Sequence, residues 1–192
     1  MSENRVVTPS SDDRSGIRRR RRNLTVSDRD VDLDACQRVV ELLAGLAAES
    51  VGLYFAHDGE LDPSTIGAAS RTAGRTTWYP VIEGDTMLFH RWDGHSPLVL
   101  GRFGIPTPPG DEVVAVESLD AVVVPLVAFD SHCNRAGYGQ GYYDLTLGAI
   151  TRRPRLIGLG YDFQELEPWS PEPWDVAMDE VVTPTRALVR TP

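Results

Sequence analysis

The chain has 192 residues, of which 41% are hydrophobic and 24% charged, the profile of one globular domain with a substantial core. Its net charge of −9 argues against nucleic acid or an anionic membrane surface as a partner, although all 19 basic residues are arginine. Two distant cysteines, Cys36 and Cys133, and four scattered histidines suggest neither a disulfide framework nor a zinc site.

Residues 1–13 are polar, carry Pro9 and several serines, and are expected to form a disordered tail, with a single domain from 14 to 192. The arginine run at 18–22 leads into Asn23-Leu24-Thr25 rather than an apolar segment, so it is not a secretory leader, and a cytoplasmic protein is expected. Such a run serves as a solvated helix face or as an anion-binding surface. Ser27 or Asp28 could cap the next helix, in which Ala35, Val39, Leu42, Leu43 and Leu46 recur at helical spacing and form a core stripe. Residues 51–56 read as a strand, 57–63 as a turn, 64–72 as a short helix, and 76–80 and 86–92 as strands. A proline-rich loop at 103–109 and a connector at 111–117 lead to the longest apolar run.

That run, 121–129, is rich in valine and reads as a strand buried on both faces. Pro125 lacks an amide donor and marks where the strand bends or ends. Residues 135–144, RAGYGQGYYD, then place Gly137, Gly139 and Gly141 at alternate positions. The spacing is neither the dinucleotide fingerprint nor a P-loop. Glycines so placed bring backbone amides close to a ligand, and a helix start behind them suits a phosphate. A tight turn with its tyrosines packed as core is the other reading of the spacing alone. A helix to about Ile150, a strand at 155–161 preceded by the basic cluster Arg152, Arg153 and Arg155, and a terminal strand at 181–183 complete the chain. Strands alternating with helices argue for an α/β layered domain with a mainly parallel central sheet.

The string V-P-L-V-A-F-D followed by R-x-G-Y-G-x-G-Y-Y-D resembles the signature of the 5-formyltetrahydrofolate cyclo-ligase family. Residues 59–62 (GELD), 103–108 (FGIPTP) and 172–179 (EPWDVAMD) resemble further family elements, as does the basic opening Arg14-x-x-Ile17-Arg18. The resemblance implies a three-layer Rossmann-like fold and an ATP- and Mg²⁺-dependent enzyme acting on 5-formyltetrahydrofolate. It implies small-molecule partners only, with no nucleic acid, no membrane and a monomeric state. ATP would be held by Arg14, Arg18, Arg135, Gly137, Tyr138, Gly139, Gln140, Gly141, Tyr142 and Tyr143. Phe55, Glu60, Phe103 and Tyr142 would bind the folate, and Asp144 and Asp175 the Mg²⁺.

The implied reaction phosphorylates the formyl oxygen, after which N10 closes the ring and phosphate departs. It needs amides and cations around the triphosphate and carboxylates for the metal, but no covalent nucleophile. The chain also departs from the family pattern at Val81, Gln140, Leu145 and Trp174 and in a short basic helix. These departures motivate a second reading, a folate- or nucleotide-binding member that no longer catalyses. A third, an arginine-rich nucleic-acid binder, rests on residues 18–22 and runs against the overall charge.

Overall fold

The computed structural model describes residues 8–191 except 26, 27, 29, 30 and 85, and it leaves out the side chain of Phe103. Helix α1 spans Ser11–Arg22. It begins inside the stretch expected to be a tail, which corrects that boundary. The reason is a reciprocal cap: the Asp13 amide donates to the Ser10 hydroxyl at 3.1 Å, and the Ser10 amide donates to the Asp13 carboxylate at 2.9 Å. Two first-turn aspartates and four last-turn arginines also match the helix dipole at both ends. Residues 1–7 of the expected tail lie outside the described residues.

Helix α2 (Asp32–Gly45) buries Ala35, Val39 and Leu43 of the expected stripe and also Cys36, which the stripe did not include; Leu42 is partly buried and Leu46 is exposed at its end. Ser27 lies outside the described residues. Asp28 does not cap α2; its carboxylate accepts instead from the amide and hydroxyl of Thr25. Strand β1 (Ser50–Gly52) is followed by helix α3 (Ser64–Thr72) and strand β2 (Thr76–Glu83). Strand β3 (Thr86–Arg91) turns back on β2. Short strands β4 (Val99–Leu100) and β5 (Pro106–Thr107) pair with each other, and β6 (Val113–Val114) joins β3. Strand β7 (Ala121–Pro125) ends at its proline, as the missing amide donor predicts. Residues beyond it form a hairpin of β8 (Ala128–Phe129) with β9 (Arg135–Ala136) rather than continuing the strand. Helix α4 (Tyr142–Gly148), β10 (Arg155–Leu159), β11 (Glu180–Val182) and β12 (Ala187–Val189) close the chain.

The main sheet has the order β12-β11-β10-β7-β1-β2-β3-β6. The run from β11 to β2 is parallel, and β12, β3 and β6 add antiparallel edges. This is the α/β fold with a mainly parallel central sheet. Alternation along β7 explains its all-apolar sequence. Ala121 and Val123 face one side with Val51, Ile157 and the buried faces of α2 and α3. Val122 and Val124 face the other with Phe89, Leu156 and Leu147 of α4. Helix α1 covers the hairpin, where Ile17 packs with Val127, Ala128, Ala136 and Trp169.

Among the described residues, no helix is long and apolar enough to cross a membrane.

Candidate active site

Strand β1 lies between β7 and β2, and the chain leaves it toward β2 before returning to the other side at β7. The order of strands therefore reverses at β1 and β7. In open α/β sheets a crevice outside the carboxyl ends of the strands at such a point takes the ligand. The loops leaving β1 and β7 are the ones that carry GELD and the glycine turn.

The glycine turn is anchored by the hairpin before it. Asp130 is fully buried; one carboxylate oxygen accepts from the His132 and Asn134 amides, and the other from the Asn134 side-chain amide and the Trp169 amide. The aspartate of V-A-F-D thus holds the tip of the hairpin, a structural role. Gly139 (φ 88°) and Gly141 (φ 72°) adopt left-handed backbone that other residues resist. Among the described residues, none of the amides from 137 to 141 donates to a protein acceptor.

These residues wall a cavity of about 430 Å³. It brings together Arg14, Arg135, the whole loop from Gly137 to Asp144, and Trp174 and Asp175. Arg135 is buried, and its guanidinium donates to Asp144 Oδ1 at 2.7 Å. The same oxygen accepts the Val176 amide at 3.2 Å, which ties α4 to the segment holding Asp175. Asp175 Oδ2 accepts the Glu172 amide at 2.9 Å. Each aspartate thus keeps a second oxygen outside these bonds. Two such carboxylates fit a Mg²⁺ ion, which takes one or two carboxylates and completes its shell with water and phosphate oxygens. Among the described residues no group of three or more His, Cys, Asp or Glu gathers for a metal.

Of the expected nucleotide contacts, Arg18 stands apart. Its Nε donates to Asp58 Oδ2 at 2.7 Å, and its guanidinium lies 4.7 Å from the Tyr138 ring centre. Of the expected folate contacts, Tyr142 lines the cavity. Phe55 stacks on Tyr79 at 4.3 Å and meets the edge of Trp92 at 5.4 Å, and it does not line this cavity. The side chain of Phe103 is outside the described residues.

Glu60, in the loop after β1, is buried within reach of Tyr138 of the glycine turn. Its carboxylate accepts the His57 amide at 3.0 Å and lies 4.0 Å from Arg21. Burial pushes its carboxyl up to about 7, against the pull of the His57 amide and the Arg21 charge. Near neutral pH it therefore populates both its protonated and its ionised form. The same shift acts on stability. A carboxyl that binds its proton more tightly when folded contributes stability below its unfolded value of 4.5 and loses it as pH rises through 7. Glu60→Gln is expected to flatten this fall. Chemical denaturation between pH 5 and 8 should show wild type losing roughly 3 kcal/mol more than the variant.

Arg21 and Asp58 are further candidates beside the glycine turn that motif reading missed. Arg21 has 0% exposure; its Nη1 donates to the Leu126 carbonyl at 3.1 Å and its Nη2 to the Tyr138 hydroxyl at 2.5 Å. Asp58 pairs with Arg18 and Arg22 of the same helix, whose charges hold its carboxyl low despite its burial. A cluster of arginines in sequence gives no sign of which one turns inward; the burial of Ile17 four residues earlier is the only periodic hint. Gly59 explains how the β1 loop can press against α1. Its φ is 75°, and a Cβ there would lie 2.8 Å from the Arg21 carbonyl carbon. Gly59→Ala is expected to cost at least about 2 kcal/mol, read as a lower midpoint in urea denaturation.

The fold and cavity define an α/β domain with a ligand site at the switch point of a parallel sheet, built from a glycine-rich loop, buried arginines and carboxylates. A sequence model of the 5-formyltetrahydrofolate cyclo-ligase family matches residues 9–184. The 5-formyltetrahydrofolate cyclo-ligase of Escherichia coli K12 is 32% identical over 177 residues, covering 88% of this chain and 97% of its own. That of Haemophilus influenzae is 31% identical, covering 88% and 94%. The NMR structure of Aquifex aeolicus 5,10-methenyltetrahydrofolate synthetase superposes with a TM-score of 0.82 at 28% identity, covering 93% of this chain and 91% of that one. The chain belongs to the 5-formyltetrahydrofolate cyclo-ligase family, and it is an enzyme of that class.

Proposed function

We propose that the chain converts 5-formyltetrahydrofolate and ATP to 5,10-methenyltetrahydrofolate, ADP and phosphate, using the glycine-turn cavity for the nucleotide and the neighbourhood of Glu60 for the folate. The observation that carries this reading is the junction of the two. A loop of unengaged amides, flanked by Arg14 and Arg135, carries Tyr138, whose hydroxyl meets Arg21 beside the buried Glu60 carboxyl.

The amides of 137–141 and the two guanidinium groups would bind the phosphates and fix the γ-phosphorus in line with the formyl oxygen. Attack by that oxygen forms a new O–P bond as the bond to ADP breaks. N10 then attacks the formyl carbon, gives up its proton, and phosphate leaves with the original formyl oxygen. Asp144 and Asp175 would hold Mg²⁺, which when bound neutralises charge on the transferring phosphoryl group. Arg135, paired with Asp144, keeps that carboxylate oriented while presenting its own charge to the phosphates. Glu60 would hydrogen-bond the pterin and so hold the formyl group toward the nucleotide. Leu145 and Trp174, the latter 66% exposed, give the cavity an apolar rim against which a purine base can pack.

The test is direct. Purified protein mixed with 5-formyltetrahydrofolate, ATP and Mg²⁺ should develop the near-ultraviolet absorbance of the methenyl product, and only with all three present. A flat trace from folded protein that still binds the folate would overturn the catalytic reading and favour a binding role.

A further inference from the structure

We infer that the side chain of Tyr138 makes nucleotide binding and folate binding interdependent in this protein. The inference rests on the proposed assignment of the two ligands to the two halves of the site.

Tyr138 belongs to both halves. Its backbone lies between Gly137 and Gly139 in the wall of the glycine-turn cavity. Its hydroxyl belongs to a knot of charged groups from α1 and the β1 loop. It accepts the Arg21 Nη2 bond at 2.5 Å and stands 3.5 Å from Asp58 Oδ2. Its ring lies under the Arg18 guanidinium at 4.7 Å. The other arm of Arg21 is 4.0 Å from Glu60 Oε1 and 3.1 Å from the Leu126 carbonyl just past β7. Because Arg21 is wholly buried, its guanidinium cannot swing without disturbing each of these partners. The glycine backbone on either side of Tyr138 can change conformation, and any such change is carried by the phenol to the partners on its hydroxyl.

A ligand that fixes the loop amides therefore fixes the phenol, and through Arg21 the charge facing Glu60. A ligand seated against Glu60 acts back along the same contacts. The coupling is reciprocal: each ligand must change the affinity of the other by the same factor. Tyr138 acts here as a positioning residue, working through Arg21 and its own hydrogen bond to Glu60 rather than by touching the folate.

The experiment is titration calorimetry with Mg²⁺, the β,γ-imido analogue of ATP and 5-formyltetrahydrofolate, so that no turnover occurs. Each ligand is titrated alone and with the other saturating, and the ratio of the two Kd values is the readout. In wild type the ratio is expected to be about tenfold and equal from both directions. In Tyr138→Phe, which keeps the ring but not the hydroxyl, it should fall to about twofold or less, whatever happens to the individual affinities. Asp58→Asn, at the other end of the same contacts and tolerant of the left-handed backbone there, should also lower it, and it decides the matter if the first variant does not fold. Wild type that binds both ligands independently, or variants that keep the wild-type ratio, would overturn the inference alone. Wild type that binds neither ligand would overturn the proposed function and the inference with it.

Discussion

Asp144→Asn is expected to lower turnover about a hundredfold while leaving the protein folded. Asparagine keeps the shape and one carbonyl oxygen, so the contacts to Arg135 and the Val176 amide can persist. It loses the negative charge that balances a buried guanidinium and that a divalent cation requires. The dependence on Mg²⁺ separates the two roles. If Asp144 ligates the metal, the concentration needed for half-maximal rate rises with the loss of rate. If it serves only as the partner of Arg135, the rate falls and the metal dependence stays as in wild type. Near-normal turnover at limiting Mg²⁺ would remove the metal role.

The second large effect concerns Arg21→Met, which is expected to destabilise the protein by about 3–5 kcal/mol. For a chain of this size that is a fall in melting temperature of roughly 10 °C. Methionine can replace the aliphatic stem, and several partners survive. Asp58 keeps Arg18 and Arg22, and the Leu126 carbonyl still accepts the Gln164 side-chain amide at 2.9 Å. Glu60 loses a cation that draws its carboxyl down, in a place where burial already favours the neutral acid. The loss should therefore be larger at pH 8, where wild-type Glu60 is ionised, than at pH 5, where it already carries its proton. Denaturation at both values measures this, and an equal loss would assign the effect to packing rather than charge.

The family was legible because its signature is local. A strand that ends at Pro125 and a turn that needs glycine at 139 and 141 are short-range demands of the backbone, written in consecutive residues. So were the α2 stripe, where spacing dictates which face is apolar, and the bounds of the α3 helix. The start of α1 was equally local and still missed: Ser10 and Asp13 form a capping box, but a serine- and aspartate-rich stretch resembles a tail until its hydrogen bonds are seen.

Other parts could not be read along the chain. The hairpin of β8 and β9 interrupts what looks like one apolar strand, and its tip is held by Asp130 bonding to Trp169, 39 residues away. Five neighbouring arginines at 18–22 look alike in sequence, yet they meet different fates. Arg18 and Arg22 pair with Asp58, Arg20 lies over Phe163, and Arg21 is buried. What separates them is the angle each takes around α1 relative to a loop 40 residues distant.

Read alone, the chain specifies its class and its glycine turn, because amide presentation and strand burial depend on residue types a few positions apart. Only the folded molecule decides which charges work together. The energy of a buried guanidinium or carboxyl depends on the partners that surround it, and those partners come from α1, the β1 loop and the glycine turn, which meet only when the sheet brings the carboxyl ends of β1 and β7 side by side.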